Sequence, residues 1–252
     1  MIYITGDCHG DFRRFSTEVF PEQKRMTKED YVIICGDFGL WHDTKEERYW
    51  LNWLNEKPFT TLFVAGNHEN YDRLNSEFPE EDWHGGRVHR IRDSILHLRN
   101  GYIFELGGKS FFAFGGARSH DISDGILDEA DYPSRERFME VRRRWTKRQK
   151  LFRVNHESWW QEEMPSAEEM AFGLATLQAH GNRVDYIVSH CCPQGISDVL
   201  SGGFYQPDAL TEYFERLSQT VDFDYWFFGH YHENRSFFRK YILLYEQIIE
   251  LE

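Results

Sequence analysis

The feature that most limits the fold of this chain is a series of short, almost wholly apolar runs. "MIYITG", "YVIICG" and "TTLFVAG" each stop at a glycine, and "VDYIVSH" and "DYWFFGH" continue the series further along. A strand with no polar alternation must be buried on both faces, as in a sheet sandwiched between other layers. Between the first three runs lie segments with helical spacing. "DFRRFSTEVF" puts Phe12, Phe15 and Val19 on one face, and "TKEERYWLNWLNE" reads as a helix capped by Thr44 with Glu47 at the capping-box position. Strands alternating with helices indicate βαβ units and a parallel sheet.

After residue 85 the texture changes. "GRVHRIRDSILHLRNGYIFELGGKSFFAFGGARS" holds short strands with turn signals at Asn100-Gly101 and Gly107-Gly108, the first a strong hairpin signal. Antiparallel strands therefore follow the βαβ half. Ser166 caps a helix over "SAEEMAFGLATLQAHG", with Glu169 completing a capping box and Gly181 ending it. The tail "SFFRKYILLYEQIIELE" reads as two further short strands. The whole reads as one domain, residues 1–252, carrying a charged and aromatic insertion at about 118–165.

The chain's 252 residues can bury a sizeable core. A net charge of −13 opposes general affinity for duplex DNA, although a local basic cleft is compatible with it. The N-terminal residues form no export signal, and no run approaches the ~20 apolar residues of a membrane helix. Cys8, Cys35, Cys191 and Cys192 form no CxxC pair and read as buried reduced thiols of a cytoplasmic protein.

The chemistry lies at the C-terminal tip of each apolar run. Asp7 and His9 come after the first, Asp37 after the second, Asn67 and His68 after the third, His190 after the fourth, and His230 with His232 after the fifth. In open α/β sheets the carboxyl ends of the strands are where ligands bind. A donor set of Asp, His and Asn without thiolate suits Mn²⁺, with Fe or Zn²⁺ as alternatives. The number of donors fits two divalent ions sharing one carboxylate. Two metals ~3.5–4 Å apart can clamp the attacking and leaving oxygens of an in-line displacement at phosphorus. Gly6, Gly36, Gly66 and Gly229 each precede a donor, where a sharp exit from the sheet calls for backbone freedom.

The ordered set "GDCHG", "GDFG", "GNHE", "SH" and "GHYH" resembles the calcineurin-like metallophosphoesterase superfamily and spans residues 6–232. The resemblance implies a four-layer α/β/β/α sandwich of two mixed β-sheets flanked by helices. It implies that Asp7, His9 and His232 hold one metal, that Asn67, His190 and His230 hold the other, and that Asp37 bridges them. It assigns His68 to the phosphate or leaving oxygen, and implies a hydrolase in which a metal-bridging hydroxide attacks phosphorus.

The chain departs from the protein serine/threonine phosphatases of that superfamily. Their second motif continues as GDxVDRG, whereas this chain reads "GDFGLWHD", and Arg73 does not stand clearly where their next phosphate-gripping arginine does. Between Ser134 and Val154 nine basic residues meet two acidic ones. A basic cap over a metal pair would draw in a polyanion, and Trp145, Phe152, Trp159 and Trp160 could stack on bases. Arg118 and His120, just beyond "SFFAFGG", are placed to reach a phosphate. The reading leans to nucleotide or single-stranded nucleic-acid phosphodiesters, with no membrane partner. The alternatives are a phosphomonoesterase, including a protein phosphatase, and a non-catalytic metal-binding scaffold.

Overall fold

The computed structural model describes residues 1–251. In chain order the strands are β1 (Ile2–Thr5), β2 (Tyr31–Ile34), β3 (Thr60–Phe63), β4 (Glu80–Trp83), β5 (Gly86–Arg92), β6 (Ile95–Leu98), β7 (Tyr102–Leu106), β8 (Lys109–Phe114), β9 (Gly125–Leu127), β10 (Phe152–Val154), β11 (Tyr186–Ser189), β12 (Tyr225–Phe228), β13 (Arg235–Phe237), β14 (Tyr241–Leu243) and β15 (Ile248–Leu251). The helices are α1 (Lys45–Asn55), α2 (Tyr71–Ser76), α3 (Arg135–Lys147), α4 (Ala167–Ala179), α5 (Gln194–Ser201) and α6 (Ala209–Thr220).

Two sheets form the body. The first runs β15-β1-β2-β3-β6-β5-β4 and the second β13-β14-β12-β11-β8-β7. In each, four consecutive strands are parallel and every strand beyond them pairs antiparallel with its neighbour. Side-chain alternation divides the core into layers. Ile2, Ile4, Ile33, Leu62 and Val64 face Phe111, Ala113, Val188 and Phe227 between the sheets. Tyr3, Val32, Ile34 and Phe63 point outward against Leu51 and Leu54 of α1 and Leu74 of α2. Phe112, Ile187, Trp226 and Phe228 point the other way, onto Leu177 of α4, Ile196 of α5 and Tyr213, Phe214 and Leu217 of α6. Helix, sheet, sheet and helix are thus stacked as the α/β/β/α sandwich, and the continuous apolar runs are the strands buried on both faces.

Several local expectations are corrected. "DFRRFSTEVF" is not an α-helix. It makes one 3-10 turn at Arg13–Phe15, and a second turn begins at Pro21. Phe12 and Phe15 are buried but Val19 is 64 % exposed. Ser16 is extended, and Pro21 disfavours the α region at the residue before it. Asn100-Gly101 is a tight turn but joins no hairpin, because β6 lies in the first sheet and β7 in the second. The Asn100 side chain accepts from Gly115 N at 2.7 Å and donates to Glu169, tying the crossover to the neighbouring elements. Gly107-Gly108 does close the β7–β8 hairpin. The tail forms three strands rather than two, and β15 returns to the first sheet beside β1. Ser166 and Glu169 form the full capping box. At Thr44 only half of one exists: Glu47 turns away to accept from the backbone N–H groups of Trp41, His42 and Asp43.

Residues 118–165 build a small unit of their own. Parallel strands β9 and β10 pack under α3 around Leu127, Phe138, Val141 and Val154. Trp145 and Phe152 pack edge to face against this cluster, 5.3 Å between centroids, and Trp160 is buried with its indole N–H donating to Asp72. Trp159 is half-buried. Trp145, Phe152 and Trp160 thus take part in packing, Trp160 in the outer core of the first sheet. The basic count between 134 and 154 is also offset by its surroundings. Arg153 pairs with Asp121, Lys150 with Asp124 and Arg142 with Glu157. Over 118–165 as a whole, ten basic residues meet ten acidic ones.

Candidate metal centre

Every donor named from the sequence leaves its strand at the same end of the sandwich, where β1, β2, β3, β11 and β12 finish. The glycines before them act mainly through the missing Cβ. A Cβ on Gly66 would lie 2.0 Å from Asp37 Oδ1, and one on Gly229 would lie 1.9 Å from Asp7 Oδ1. Only Gly36, at φ +94°, needs the backbone freedom expected of all four. The left-handed conformations fall instead on the donors: His9 (φ 49°), Asp37 (45°), His230 (70°) and His232 (51°). Each costs on the order of 1–3 kcal/mol, and such residues persist where the surroundings over-determine them. Here His9 N donates to the Asp37 carbonyl at 2.7 Å, and His230 N donates to both Asp7 carboxylate oxygens at 3.0 Å.

Asp7, His9, Asp37 and His232 present four ligand atoms that all lie within 4.8 Å of one another. His9 Nε2 and His232 Nε2 face each other at 3.0 Å, and His232 Nε2 is 3.2 Å from Asp7 Oδ2. Asp37 Oδ2 stands 3.7 Å from His9 Nε2 and 3.4 Å from His190 Nε2, so one oxygen faces both halves of the site. Burial alone would raise the Asp37 carboxyl. His190, His68 and His9 outweigh it and hold the group well below the usual carboxylate range. Burial lowers His9, whereas the hydrogen bond to Asp7 raises His232.

The second group forms around His190. Its Nδ1–H donates to the Cys35 carbonyl at 2.8 Å, which turns Nε2 toward Asn67 Oδ1 at 3.2 Å and toward Asp37. Burial would lower His190, but Asp37 and Asp7 lift it to about 9. His230 lies with its ring 4.9 Å from that of His190, while its Nε2 faces His120 Nε2 at 2.7 Å. Burial, helped by His190 and His120, pushes His230 well below its ordinary value.

His68 sits beside the first group. Its backbone N–H donates to Asp37 Oδ1 at 2.8 Å, its ring meets that of His9 edge-on at 5.5 Å, and burial lowers its pKa. It opens onto a cleft of about 200 Å³ shared with Trp41, Arg153 and Glu157, which brings the insertion to the rim of the site. Arg118 is exposed and lines another cleft with His120 and His230. Arg73 points away from the donors, bonded to Glu47 at 2.6 Å and Glu77 at 3.0 Å.

Three buried polar residues escaped the sequence reading. Ser119 Oγ accepts from Asn67 Nδ2 at 3.3 Å, and Glu163 accepts from Ser119 N at 2.9 Å and Ser119 Oγ at 2.6 Å. Glu69 accepts from the N–H groups of Phe38, Gly39 and Leu40, bracing the loop that carries Asp37. Burial pushes Glu69 up to about 8 and Glu163 up to about 7. Ser119 lies in the loop beyond β8, where no periodicity singles it out. Nothing distinguishes Glu163 from its acidic neighbours in "QEEMP".

A two-sheet sandwich carrying Asp, His and Asn at one strand edge defines the class of dinuclear metallohydrolases. The profile of the calcineurin-like phosphoesterase family matches residues 1–234, and the chain belongs to that family of metal-dependent hydrolases. The family implies a dinuclear divalent metal centre. Among similar proteins, lariat debranching enzyme A of Xenopus laevis is 25 % identical over 148 residues, which is 52 % of this chain and 26 % of the relative. The Homo sapiens lariat debranching enzyme is 24 % identical over 150 residues, 53 % of this chain and 26 % of its own length. The Arabidopsis thaliana one is 28 % identical over 149 residues, 53 % of this chain and 32 % of its own length. The matched region thus spans a quarter to a third of each of these relatives.

Proposed function

We propose that this chain hydrolyses phosphodiester bonds in nucleic acid or nucleotides with two divalent cations, Mn²⁺ best suiting its mixed oxygen and nitrogen donors. Asp7, His9 and His232 hold one cation, Asn67, His190 and His230 the other, and Asp37 is shared. The observation that carries the reading is the approach of His9 Nε2 to His232 Nε2 at 3.0 Å in front of Asp7 and Asp37. Two imidazole nitrogens aimed at one point before two carboxylates fit a shared cation better than a hydrogen bond between themselves. Asp37 supports the shared role because the same oxygen faces His9 and His190.

When bound, such a cation pair neutralises charge on the phosphoryl oxygens and makes a water acidic enough to ionise near neutral pH. The chain's own part is positional. Glu69 braces the Asp37 loop, the Cys35 carbonyl fixes the His190 tautomer, and His68 is held at the mouth by the bond from its backbone to Asp37. From there His68 donates a proton to the leaving oxygen or a hydrogen bond to the phosphate.

The lean to nucleic acid rests on the relatives, whose names specify lariat debranching. A phosphoprotein substrate is disfavoured because Arg73 is engaged by Glu47 and Glu77. We read the chain as one domain with the 118–165 unit as a cap beside His68. Four buried free thiols suit a reducing compartment such as the cytoplasm, and no described helix is long and apolar enough to cross a membrane.

The test is hydrolysis by Mn²⁺-loaded protein of a linear oligonucleotide, a branched oligonucleotide and a phosphomonoester series. Cleavage of either oligonucleotide is expected. Turnover of monoesters alone would replace the reading with a phosphomonoesterase, and no turnover with both metals bound would leave a scaffold.

A further inference from the structure

Beside His230 lies a cluster of aromatic rings that closes back on it, Tyr231 meeting the His230 ring edge-on at 5.0 Å. The His120 ring lies 4.6 Å from that of His230, Tyr205 stacks on His120 at 5.2 Å and 24°, and Tyr231 stacks on Tyr205 at 5.9 Å and 26°. These rings line a cleft of about 320 Å³, within the ~300–1,000 Å³ range of ligand sites. Phe204 stands on its lip and is 85 % exposed. The chain reaches Phe204 through Gly202 and Gly203, at φ 65° and 83°, directly after α5. Asp208 anchors the other end of the segment by capping α6. Packing accounts for Tyr231, which is held in the outer core of the second sheet. It accounts in part for Tyr205, which lies between His120 and Tyr231 yet is 41 % exposed, and not for Phe204.

We propose that this cleft is a nucleobase subsite, in which the base flanking the scissile phosphate on the His230 side stacks on Tyr205 and Phe204. The inference rests on the phosphodiesterase reading and specifies its substrate: a diester bearing a planar heterocycle on that side. The ring cluster abuts His230, and its exposed members, Tyr205 and Phe204, face the cleft. Arg118, Gln206 and Asp208 in the same cleft supply polar groups for the edge of a base. Base–aromatic stacking is tolerant of sequence, so the subsite selects for the presence of a base rather than for its identity.

The experiment is equilibrium binding of a dinucleotide and its two abasic forms to the metal-loaded full chain. The dinucleotide is phosphorothioate-linked and slow to hydrolyse. The abasic forms are the same molecule made abasic on either side in turn. The wild type should bind the complete dinucleotide about 5- to 100-fold more tightly than one of the two abasic forms, the range stacking on aromatics provides. Phe204→Ala and Tyr205→Ala should erase most of that preference while leaving abasic binding unchanged, and Phe204→Trp should keep it. A preference that persists in both alanine variants overturns the subsite while the phosphodiesterase reading stands. Equal weakening for all probes also overturns it, since stacking cannot act where there is no base. Failure of the wild type to bind any probe better than inorganic phosphate overturns both readings.

Discussion

The amide of Asn67 is oriented by Ser119. Its Nδ2 donates to Ser119 Oγ at 3.3 Å, so Oδ1 is left facing His190 Nε2 at 3.2 Å. Ser119 is fixed in turn by Glu163, to which both its N–H and its hydroxyl donate. Partners of this kind, one bond behind a ligand, typically affect metal affinity 10- to 100-fold. Ser119→Ala should therefore weaken binding of one of two equivalents of Mn²⁺ by about that factor and spare the other. Metal content after dialysis against a graded chelator reads this directly. Two equivalents held as tightly as in the wild type would mean that the amide needs no such support.

Asp37→Asn should do wider damage than His9→Ala. The Asp37 carboxylate faces both His9 and His190, and its charge would hold two cations close together. Loss of the His9 imidazole removes one donor from one group. The expected stoichiometries are near zero for Asp37→Asn and near one for His9→Ala at a metal concentration that saturates the wild type. Full occupancy in Asp37→Asn would refute the shared-ligand assignment.

Much of this site was legible before folding because the residues that make it come directly after strand ends. An apolar run such as "YVIIC" must be buried, so the residues next in the chain are delivered to the sheet edge. Asp7, Asp37, Asn67 and His190 meet at one edge for this reason alone. Features that depend on the meeting of distant segments leave no such local sign. Glu163 sits in a charged run that looks solvated, yet it is 1 % exposed, turned in against Ser119 from the other end of the insertion. Asn100-Gly101 has the chemistry of a hairpin turn, but the partner of the next strand is chosen by which sheet has room, and that information is not local. The glycines are needed mostly for space: close approach of the Asp7 and Asp37 carboxylates, not φ, excludes a Cβ at Gly229 and Gly66.

Glu163 should make stability depend on pH. Burial lifts its carboxyl from the ordinary 4.5 to about 7 in the folded protein. The unfolded chain therefore ionises it first. Below about pH 4.5 both states carry the proton and Glu163 imposes no penalty. As pH rises from about 4.5 to 7 the folded state is progressively disfavoured, reaching a limit on the order of 3 kcal/mol above 7. Glu163→Gln removes the titration, so the difference in stability between variant and wild type should shift in favour of the variant between pH 4.5 and 7 and level off above. Urea midpoints at several pH values for both proteins measure it. A constant difference across that range would show that Glu163 ionises normally in the fold.

His68→Ala should retain both metals and lose rate. The imidazole is beside the first donor group, yet its anchorage to Asp37 runs through its backbone N–H, which alanine preserves. Proton donation to a leaving oxygen is typically worth ~10²–10⁴-fold. The benefit depends on how badly that oxygen needs a proton. An alkoxide leaving group, as in a nucleic-acid diester, should show most of the loss, and a nitrophenolate should show little. Burial keeps the His68 pKa below its ordinary value, so the protonated form is scarce at neutral pH. The wild-type rate on alkyl diesters should then fall as pH rises toward and past neutrality, and His68→Ala should lack that fall. Comparing kcat on a nitrophenyl diester with kcat on an alkyl diester, each across pH, separates the two roles left open for this residue. A loss that is equal for both leaving groups and flat with pH would assign His68 to holding the phosphate instead of protonating the product.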